Sequence, residues 1–266
     1  MQIHEKDTLR YYTFASLADQ PLLQAVITRR GGVSAPPWAS LNLGGTVGDD
    51  PQHVAANRQR AFQTLGLDLE AMYDVWQVHS ATVITTDRPR PTAEPHLKAD
   101  AILTDRPGLT LFMRFADCAP VLLYDPRRKV VGLAHAGWRG TVIQTAGQAV
   151  KVMQTAYGSD PADILAAIGP SIGPHHYEVG PEVAAQVQAA FGEDASSLLQ
   201  ASNDEAGGVQ FDLWNANRLV LECAGVRHVE IAGICTACHP EDWYSHRGEH
   251  GKTGRFGAVI RLNVEM

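Results

Sequence analysis

Apolar, aromatic and β-branched residues in this chain fall into short runs, separated by polar segments that contain glycine and proline. Runs of this kind predict β-strands. The predicted strands are 9–14, 22–28, 74–83, 99–103, 109–115, 121–124, 130–134, 164–168, 229–234 and 256–262. His79 is expected inside the third of these strands or at its end.

Four longer segments carry apolar or small residues on one side, which predicts helices. The first opens at Asp49-Asp50-Pro51 and runs to about Leu65, with an acidic cap and proline in its first turn. The second begins at Gly137 and ends before the Gly158–Pro161 stop signal. The other two are 181–191 and 212–224.

Two of the strands, Val121–Tyr124 and Val130–Ala134, flank a polar Asp-Pro-Arg-Arg-Lys turn and predict a β-hairpin. Cys118 stands just before the first strand and His135 just after the second. In an antiparallel pair the start of one strand lies opposite the end of its partner. A thiol and an imidazole therefore meet at one end of a sheet, which indicates either a metal site or a nucleophilic Cys–His pair.

The order of the predicted elements bears on the fold class. Strands and helices interleave without the regular alternation of a doubly wound sheet, so an α+β fold with mixed sheets is favoured over α/β. Neither an internal repeat nor a linker interrupts the 266 residues, and one domain over 1–266 is expected.

Composition narrows the class of protein. Hydrophobic residues make up 45% and charged residues 19%, as in an ordinary soluble globular protein. The net charge of -7 argues against nucleic acid or an anionic membrane as partner. Neither a membrane span nor an export signal is recognisable, and four cysteines are too few for a disulfide framework. A cytoplasmic protein, monomeric or weakly dimeric, is expected.

His79, Cys118 and His135 all lie near predicted strand ends, beside small residues that leave space for a metal and a substrate. Two imidazoles and one thiolate suit zinc, and three protein ligands leave a fourth position open, as in catalytic zinc sites. The alternative is structural: a buried core thiol and two hydrogen-bonded histidines. Spacing alone does not choose between these interpretations.

Cys235-Thr236-Ala237-Cys238-His239 matches the attachment pattern for haem c, and its Cys-x-x-Cys could also be redox-active or bind zinc. The sequence contains neither an export signal nor a partner Cys-x-x-Cys, so a coincidence at a strand end is favoured. A multicopper site is disfavoured because the 11 histidines form no His-x-His pair. Copper bound by two histidines, Cys118 and Met113 stays open as an alternative.

Several arginines lie in glycine-rich or polar segments: Arg29, Arg58, Arg139, Arg247 and Arg255. Each alone is best interpreted as a solvated charge, but several in one cleft would bind an anion such as phosphate. The donor-rich segment 245–251 could form a substrate loop. No Walker or Rossmann glycine pattern is present, so no nucleotide-cofactor fold is predicted.

A family likeness rests on blocks distributed along nearly the whole chain, of which His135-Ala136-Gly137-Trp138-Arg139-Gly140 is the most specific. The other blocks are 28–34, 40–44, 57–58, 77–79, 99–101, 116–123, 168–172, 177–180, 235–236 and 253–255. With these blocks the sequence resembles the laccase-domain family. Its members are known as multicopper polyphenol oxidase-like proteins, as purine nucleoside phosphorylases and as peptidoglycan editing factor-like proteins.

The resemblance implies a four-layer α/β/β/α sandwich and a zinc site at His79, Cys118 and His135. It also implies phosphorolysis of adenosine, inosine, guanosine and methylthioadenosine, with some adenosine deamination. One departure is visible: the family's usual Ser-Tyr-Arg-Arg run appears as Ser245-His246-Arg247-Gly248, so the second arginine is missing.

A mechanism follows as a hypothesis, in which His79, Cys118 and His135 hold zinc and serve as the catalytic centre. Arg29 and Arg247 are expected to position phosphate and Asn42 to anchor the ribose or base; Arg58 completes the expected substrate-binding set. Two other enzymes remain alternatives. One is a copper-dependent polyphenol oxidase (laccase), and the other is a metal-free Cys118–His135 hydrolase acting on an amide of a peptidoglycan precursor.

Overall fold

The computed structural model describes residues 1–201 and 208–264. Its strands, in chain order, are β1 Gln2–Lys6, β2 Leu9–Thr13, β3 Leu22–Ile27, β4 Met72–Tyr73, β5 Val83–Thr85, β6 Ala101–Thr104, β7 Thr110–Phe115, β8 Ala119–Asp125, β9 Val130–Ala136, β10 Leu165–Ile168, β11 Glu178–Val179, β12 Leu199–Ala201, β13 Val209–Phe211, β14 His228–Ile231 and β15 Phe256–Leu262. The α-helices are α1 Pro51–Leu65, α2 Trp138–Val142, α3 Thr145–Tyr157, α4 Pro181–Phe191, α5 Ala195–Leu198 and α6 Leu213–Cys223.

Two six-stranded mixed sheets organise these elements. The first has the order β1-β2-β3-β15-β7-β4, and only its β4–β7 pair is parallel among the described strands. The second has the order β14-β10-β8-β9-β6-β5, with parallel pairs at both edges. A small sheet, β11-β13-β12, lies apart from them. The mixed-sheet α+β prediction is confirmed.

The two large sheets pack face to face, and helices cover their outer faces. Leu122 and Leu133 of the second sheet and Met113 of the first belong to the core between the sheets. The alternate residues Val121 and Leu123 point the other way, into a core shared with α3 and α6. On the far side of the first sheet, α1 contributes its own apolar face. The period-2 alternation along buried strands thus gives an α/β/β/α stack.

The first predicted helix is confirmed in type and extent. Asp50 precedes α1, and its carboxylate accepts a hydrogen bond from the Gln52 amide, as expected for an acidic N-cap. Gly66 ends the helix in the left-handed conformation, with φ of 68°.

Two predicted elements differ from the structure. The segment 74–83 is not one strand: β4 ends at Tyr73, β5 begins at Val83, and His79 lies between them with φ of +60°. A residue with positive φ cannot continue a strand. The helix predicted from Gly137 is divided into α2 and α3 because Gln144 also adopts positive φ. In the described residues no helix is long and apolar enough to cross a membrane.

Candidate metal centre and adjoining pocket

The predicted hairpin is present as β8 and β9, and it brings together a sulfur and an imidazole. Ala119 pairs with Ala136, and Pro120 pairs with His135. Cys118, one residue before β8, therefore lies at the sheet end occupied by His135. The predicted meeting of Cys118 and His135 at one end of the sheet is confirmed.

His79 reaches this sheet end through Asp100, which lies just before β6. One carboxylate oxygen, Oδ1, is 2.9 Å from His135 Nδ1. The other, Oδ2, accepts hydrogen bonds from the Val78 amide and from the amide and hydroxyl of Ser80, the two neighbours of His79. Asp100 thus fixes both histidines at once, and it supports the disfavoured backbone conformation of His79. Burial would raise the pKa of Asp100, but hydrogen bonds from His135 and Ser80 lower it to about 2.

The three side chains form a cluster suited to a metal. The ligand atoms of His79, Cys118 and His135 all lie within 4.8 Å of one another, and His79 Nε2 is 3.9 Å from Cys118 Sγ. Because Asp100 accepts a hydrogen bond from His135 Nδ1, a metal ion would take the place of the proton on the other ring nitrogen. A mixed set of imidazole and thiolate donors fits zinc.

Gly137 provides the space that the sulfur occupies. A Cβ atom at this position would lie 2.5 Å from Cys118 Sγ and 3.6 Å from His79 Cδ2. Such a separation from sulfur is far shorter than van der Waals contact. The backbone conformation of Gly137 is ordinary, with φ of -80°. The glycine is therefore required by the close approach of the cluster and not by its torsion angles.

The electrostatics of the cluster favour a thiolate. Burial alone would raise the pKa of Cys118, but the charge of His135 and hydrogen bonds from both histidines lower it to about 6. Burial would lower the pKa of His135, but the Cys118 thiolate and Asp100 raise it to about 9. A thiolate is the form that binds metals and attacks electrophiles.

A pocket of about 390 Å³ opens beside His79. The loop after β4 contributes one wall, including the half-exposed Trp76. Three arginines line it: Arg58 from α1, Arg114 from β7 and Arg255 just before β15. The other lining residues are Gly44, Gly45, Thr46, Val75, Gln77, His79 and His96.

The pocket carries an excess of positive charge. Arg114 is paired with the buried Asp74 at 2.9 Å. Arg58 and Arg255 form no ion pair with any carboxylate in residues 1–201 and 208–264; they donate to backbone carbonyls of Leu43, Thr253 and Gly254. Burial and the nearby Arg114 lower the pKa of Arg58 to about 10, so it stays charged at neutral pH. Two such guanidinium groups suit an anion such as phosphate.

Arg29 and Asn42, both expected to bind substrate, are not among the residues that line this pocket. The Arg29 guanidinium contacts Glu249 at 3.0 Å and three backbone carbonyls, and it lines a separate shallow depression. Asn42 is fully buried; its amide donates to Asp49 and to Gly44, and its oxygen accepts from the amides of Gly44 and Arg255. This placement favours a role for Asn42 in ordering the pocket wall over direct contact with a ligand.

Arg247 is exposed and close to the metal cluster through Asp117. Its amide donates to the Asp117 carboxylate at 2.6 Å, next to Cys118 in sequence. Its guanidinium lies 5.4 Å from the centre of the Tyr177 ring and donates to the carbonyl of Glu178. Arg247 therefore approaches the cluster from a different element than the arginines of the pocket, while Arg29 lies elsewhere.

Two residues of the site were not singled out by sequence reasoning. Asp100 was noted only within a family block, and Arg114 was not considered. Each is the one charged residue in a predicted strand segment, 99–103 or 109–115, whose other residues are apolar except for Thr110. A charge inside a buried strand is costly unless it is paired, so this pattern is a signal that could have identified both.

Comparison with known proteins gives consistent matches over nearly the whole chain. The family model described as "Multi-copper polyphenol oxidoreductase laccase" matches residues 23–263. A purine nucleoside phosphorylase of Deinococcus radiodurans is 41% identical over 238 residues, covering 90% of this chain and 88% of the relative. Purine nucleoside phosphorylase YlmD of Bacillus subtilis is 37% identical over 252 residues, covering 92% and 90%. The crystal structure of YlmD from Geobacillus stearothermophilus superimposes with a TM-score of 0.90 at 34% identity, covering 98% of each chain.

Proposed function

The chain belongs to the multi-copper polyphenol oxidoreductase laccase family, and we propose on that premise that it is a zinc-dependent purine nucleoside phosphorylase. One observation carries the proposal: His79 belongs both to the imidazole–thiolate cluster and to the lining of an arginine-rich pocket. The names of the relatives support it. The proposed substrates are adenosine, inosine, guanosine and methylthioadenosine, together with phosphate.

In this proposal, His79, Cys118 and His135 hold the metal, and zinc bound there would supply a Lewis acid at the edge of the pocket. A phosphate oxygen attacks C1′ of the ribose, the bond from C1′ to the base breaks, and the base leaves with the bonding electrons and takes up the proton that phosphate gives up. Arg58 and Arg255 bind phosphate and hold it in position, which contributes orientation and neutralises charge.

The chemistry of nearby side chains suggests where the nucleoside binds. Trp76 offers an exposed aromatic face on which a purine base can stack. Arg247 approaches the cluster from the other side and is proposed to contact the nucleoside or phosphate. Deamination of adenosine, in which water attacks C6 of the purine and ammonia leaves, is proposed as a second reaction of the same site.

The proposal is tested by assaying the purified protein with inosine. Release of hypoxanthine and ribose 1-phosphate should require phosphate, should be lost after treatment with a chelator and should return with zinc. Cys118→Ser should lose the activity, whereas Cys223→Ser, at an exposed cysteine outside the site, should retain it. Turnover by Cys118→Ser at the rate of the unmodified protein would disprove the assignment.

The Cys–His hydrolase remains a second candidate, because hydrogen bonds link Cys118 to His135 and His135 to Asp100. These three side chains could serve as nucleophile, base and orienting carboxylate. The hydrolase predicts the opposite response to metal: hydrolysis of an amide in a peptidoglycan precursor that survives the chelator and is abolished by thiol alkylation. The copper oxidase predicts oxidation of phenols that depends on stoichiometric copper.

A further inference from the structure

A second cluster of sulfur and imidazole groups lies outside the site described above. It consists of His175, His176, Cys235 and Cys238, whose ligand atoms all lie within 4.8 Å of one another. The Cys-x-x-Cys that sequence reasoning treated as a coincidence therefore has partners after all. They are two adjacent histidines, which a search for a second Cys-x-x-Cys could not find.

The separations within this cluster match those of a tetrahedral zinc site. Bonds of about 2.3 Å to sulfur and about 2.0–2.1 Å to nitrogen, at a tetrahedral angle, place sulfur and nitrogen about 3.5 Å apart. Cys238 Sγ is 3.1 Å from His175 Nε2 and 3.4 Å from His176 Nδ1. Cys235 Sγ is 3.6 Å from His176 Nδ1. These three separations, with all four ligand atoms within 4.8 Å of one another, suit a single ion.

The backbone builds this arrangement from two neighbouring strands. β10 and β14 are parallel, so their continuations leave the second sheet at the same edge, where Ser171 forms a bridge with Cys235. The first continuation makes a 3-10 turn, Pro174–His176, that carries both histidines. A Cβ at Gly173 would lie 2.8 Å from the His175 ring and 3.1 Å from Cys235 Cβ. Glycine is needed for the two segments to approach this closely.

Cys235 is also held by the backbone of the segment that carries the two histidines. It is buried, and the Gly173 amide donates a hydrogen bond to its sulfur at 3.2 Å. The amide thus acts on the sulfur as an outer-shell group does in metal sites.

We propose that His175, His176, Cys235 and Cys238 bind a zinc ion as a closed, four-coordinate structural site. The number of ligands distinguishes it from the cluster of His79, Cys118 and His135. With four protein donors no position remains for water or substrate, whereas three donors leave one position open. The ion would cross-link the ends of β10 and β14 at an edge of the second sheet.

The cross-link adjoins residues of the proposed active site. Thr236, next to Cys235, donates its hydroxyl hydrogen to the Asp117 carboxylate at 2.6 Å, and Asp117 precedes Cys118. On the other segment, Tyr177 follows His176 and lies under the Arg247 guanidinium. The zinc site would therefore fix the two segments that hold Asp117 and Arg247, without itself touching substrate.

The test is the zinc content of the full chain, purified without chelator and dialysed against metal-free buffer. The unmodified protein should hold about two equivalents of zinc, one in each cluster. Cys238→Ser and His175→Ala should each hold about one; both residues are exposed, so folding should tolerate the change. The matched controls His239→Ala and Cys223→Ser alter exposed residues outside the cluster and should keep about two.

Cobalt substitution identifies the ligands independently of activity. Cys118→Ser should retain about one equivalent, and its Co²⁺ form should show a thiolate-to-cobalt charge-transfer band and the strong visible bands of tetrahedral cobalt. These should disappear in the triple variant Cys118→Ser, Cys235→Ser, Cys238→Ser. A metal-free Cys118→Ser, or a disulfide between Cys235 and Cys238 in the purified protein, would overturn the proposal. The phosphorylase assignment would be unaffected by that result, since it depends on the other cluster.

Discussion

Gly137 shows how closely the metal cluster depends on one small residue. It lies between the end of β9 and the start of α2, with its Cα facing the Cys118 sulfur. Any side chain here would enter the space that the sulfur and the His79 ring share. The glycine is therefore part of the site although it donates nothing to a metal.

Gly137→Ala should weaken zinc binding at this cluster by about 10–100-fold, the range found when a group that supports metal ligands is altered. The added methyl group must displace the sulfur. The measurement is the free-zinc concentration that gives half-maximal phosphorolysis. Gly180→Ala is the matched control, because Gly180 also precedes a helix with ordinary φ and has open space at its Cβ. Equal zinc requirements for the two variants would contradict this view of Gly137.

Cys118 should be unusually reactive once the metal is removed. Its pKa of about 6 means that the thiolate predominates above that pH and is protonated below it, whereas an ordinary thiol ionises near about 8.5. The alkylation rate of Cys118 by iodoacetamide in chelator-treated protein, followed by mass spectrometry, should rise with a midpoint near pH 6. His135→Gln should move the midpoint upward because it removes the positive charge. A midpoint equal to that of N-acetylcysteine would argue against the ion pair.

At the scale of single residues, the candidate metal ligands could be recognised from the sequence, but the groups that hold them in place could not. His79, Cys118 and His135 stand out because imidazole and thiol groups bind metals and because these three lie near predicted strand ends. The role of Asp100 depends on two hydrogen-bonding directions, one to His135 and one to the backbone around His79. Nothing local in the sequence reports those directions.

Helix α1 contributes to the pocket through one side chain on its inner edge. Arg58 is half-buried and faces the pocket, whereas Arg60, two residues further on, is exposed and donates to the Gly31 carbonyl outside it. Residues two apart on a helix face different directions. Arg60 on the same helix therefore serves as a control for a general effect of removing one positive charge.

Arg58→Met should raise the KM for phosphate by about tenfold or more, since one hydrogen-bonded charge contributes about 1.5–3 kcal/mol. The KM for the nucleoside should change less. Arg60→Met removes the same charge from the same helix and should leave both constants unchanged. The measurement is initial-rate phosphorolysis at varied phosphate. If both variants raised the KM for phosphate equally, the effect would be one of overall charge and not of binding at Arg58.

The elements themselves were predictable where the pattern was local. The hairpin of β8 and β9 and the helix α1 follow from alternation, turn residues and capping. The segment 74–83 was wrongly predicted as a strand, although its Val, Trp and Thr residues favour one. Hydrogen bonds from this segment to Asp100 replace strand pairing and hold His79 in the left-handed region. Tertiary contacts override local propensity at this functional loop.

For the whole molecule, the core between the two sheets should dominate stability. Leu133 of β9 is fully buried there, and Leu133→Ala should lower the free energy of unfolding by about 2–5 kcal/mol, from lost burial and the cavity that remains. Leu97→Ala is the control, because Leu97 is 52% exposed. Urea denaturation measures both. A loss below about 1 kcal/mol for Leu133→Ala would indicate that the sheets do not pack as described.

The sequence by itself determined the types of most elements, the mixed α+β class, and the meeting of Cys118 with His135. These depend on periodicity, turn chemistry and antiparallel pairing, which act over short distances along the chain. Only the tertiary structure decided that Arg58, Arg114 and Arg255 share a pocket, that Arg29 does not, and that two histidines face the Cys-x-x-Cys. Those residues come from separate elements, and their proximity depends on how the sheets stack and on the order in which the strands pair.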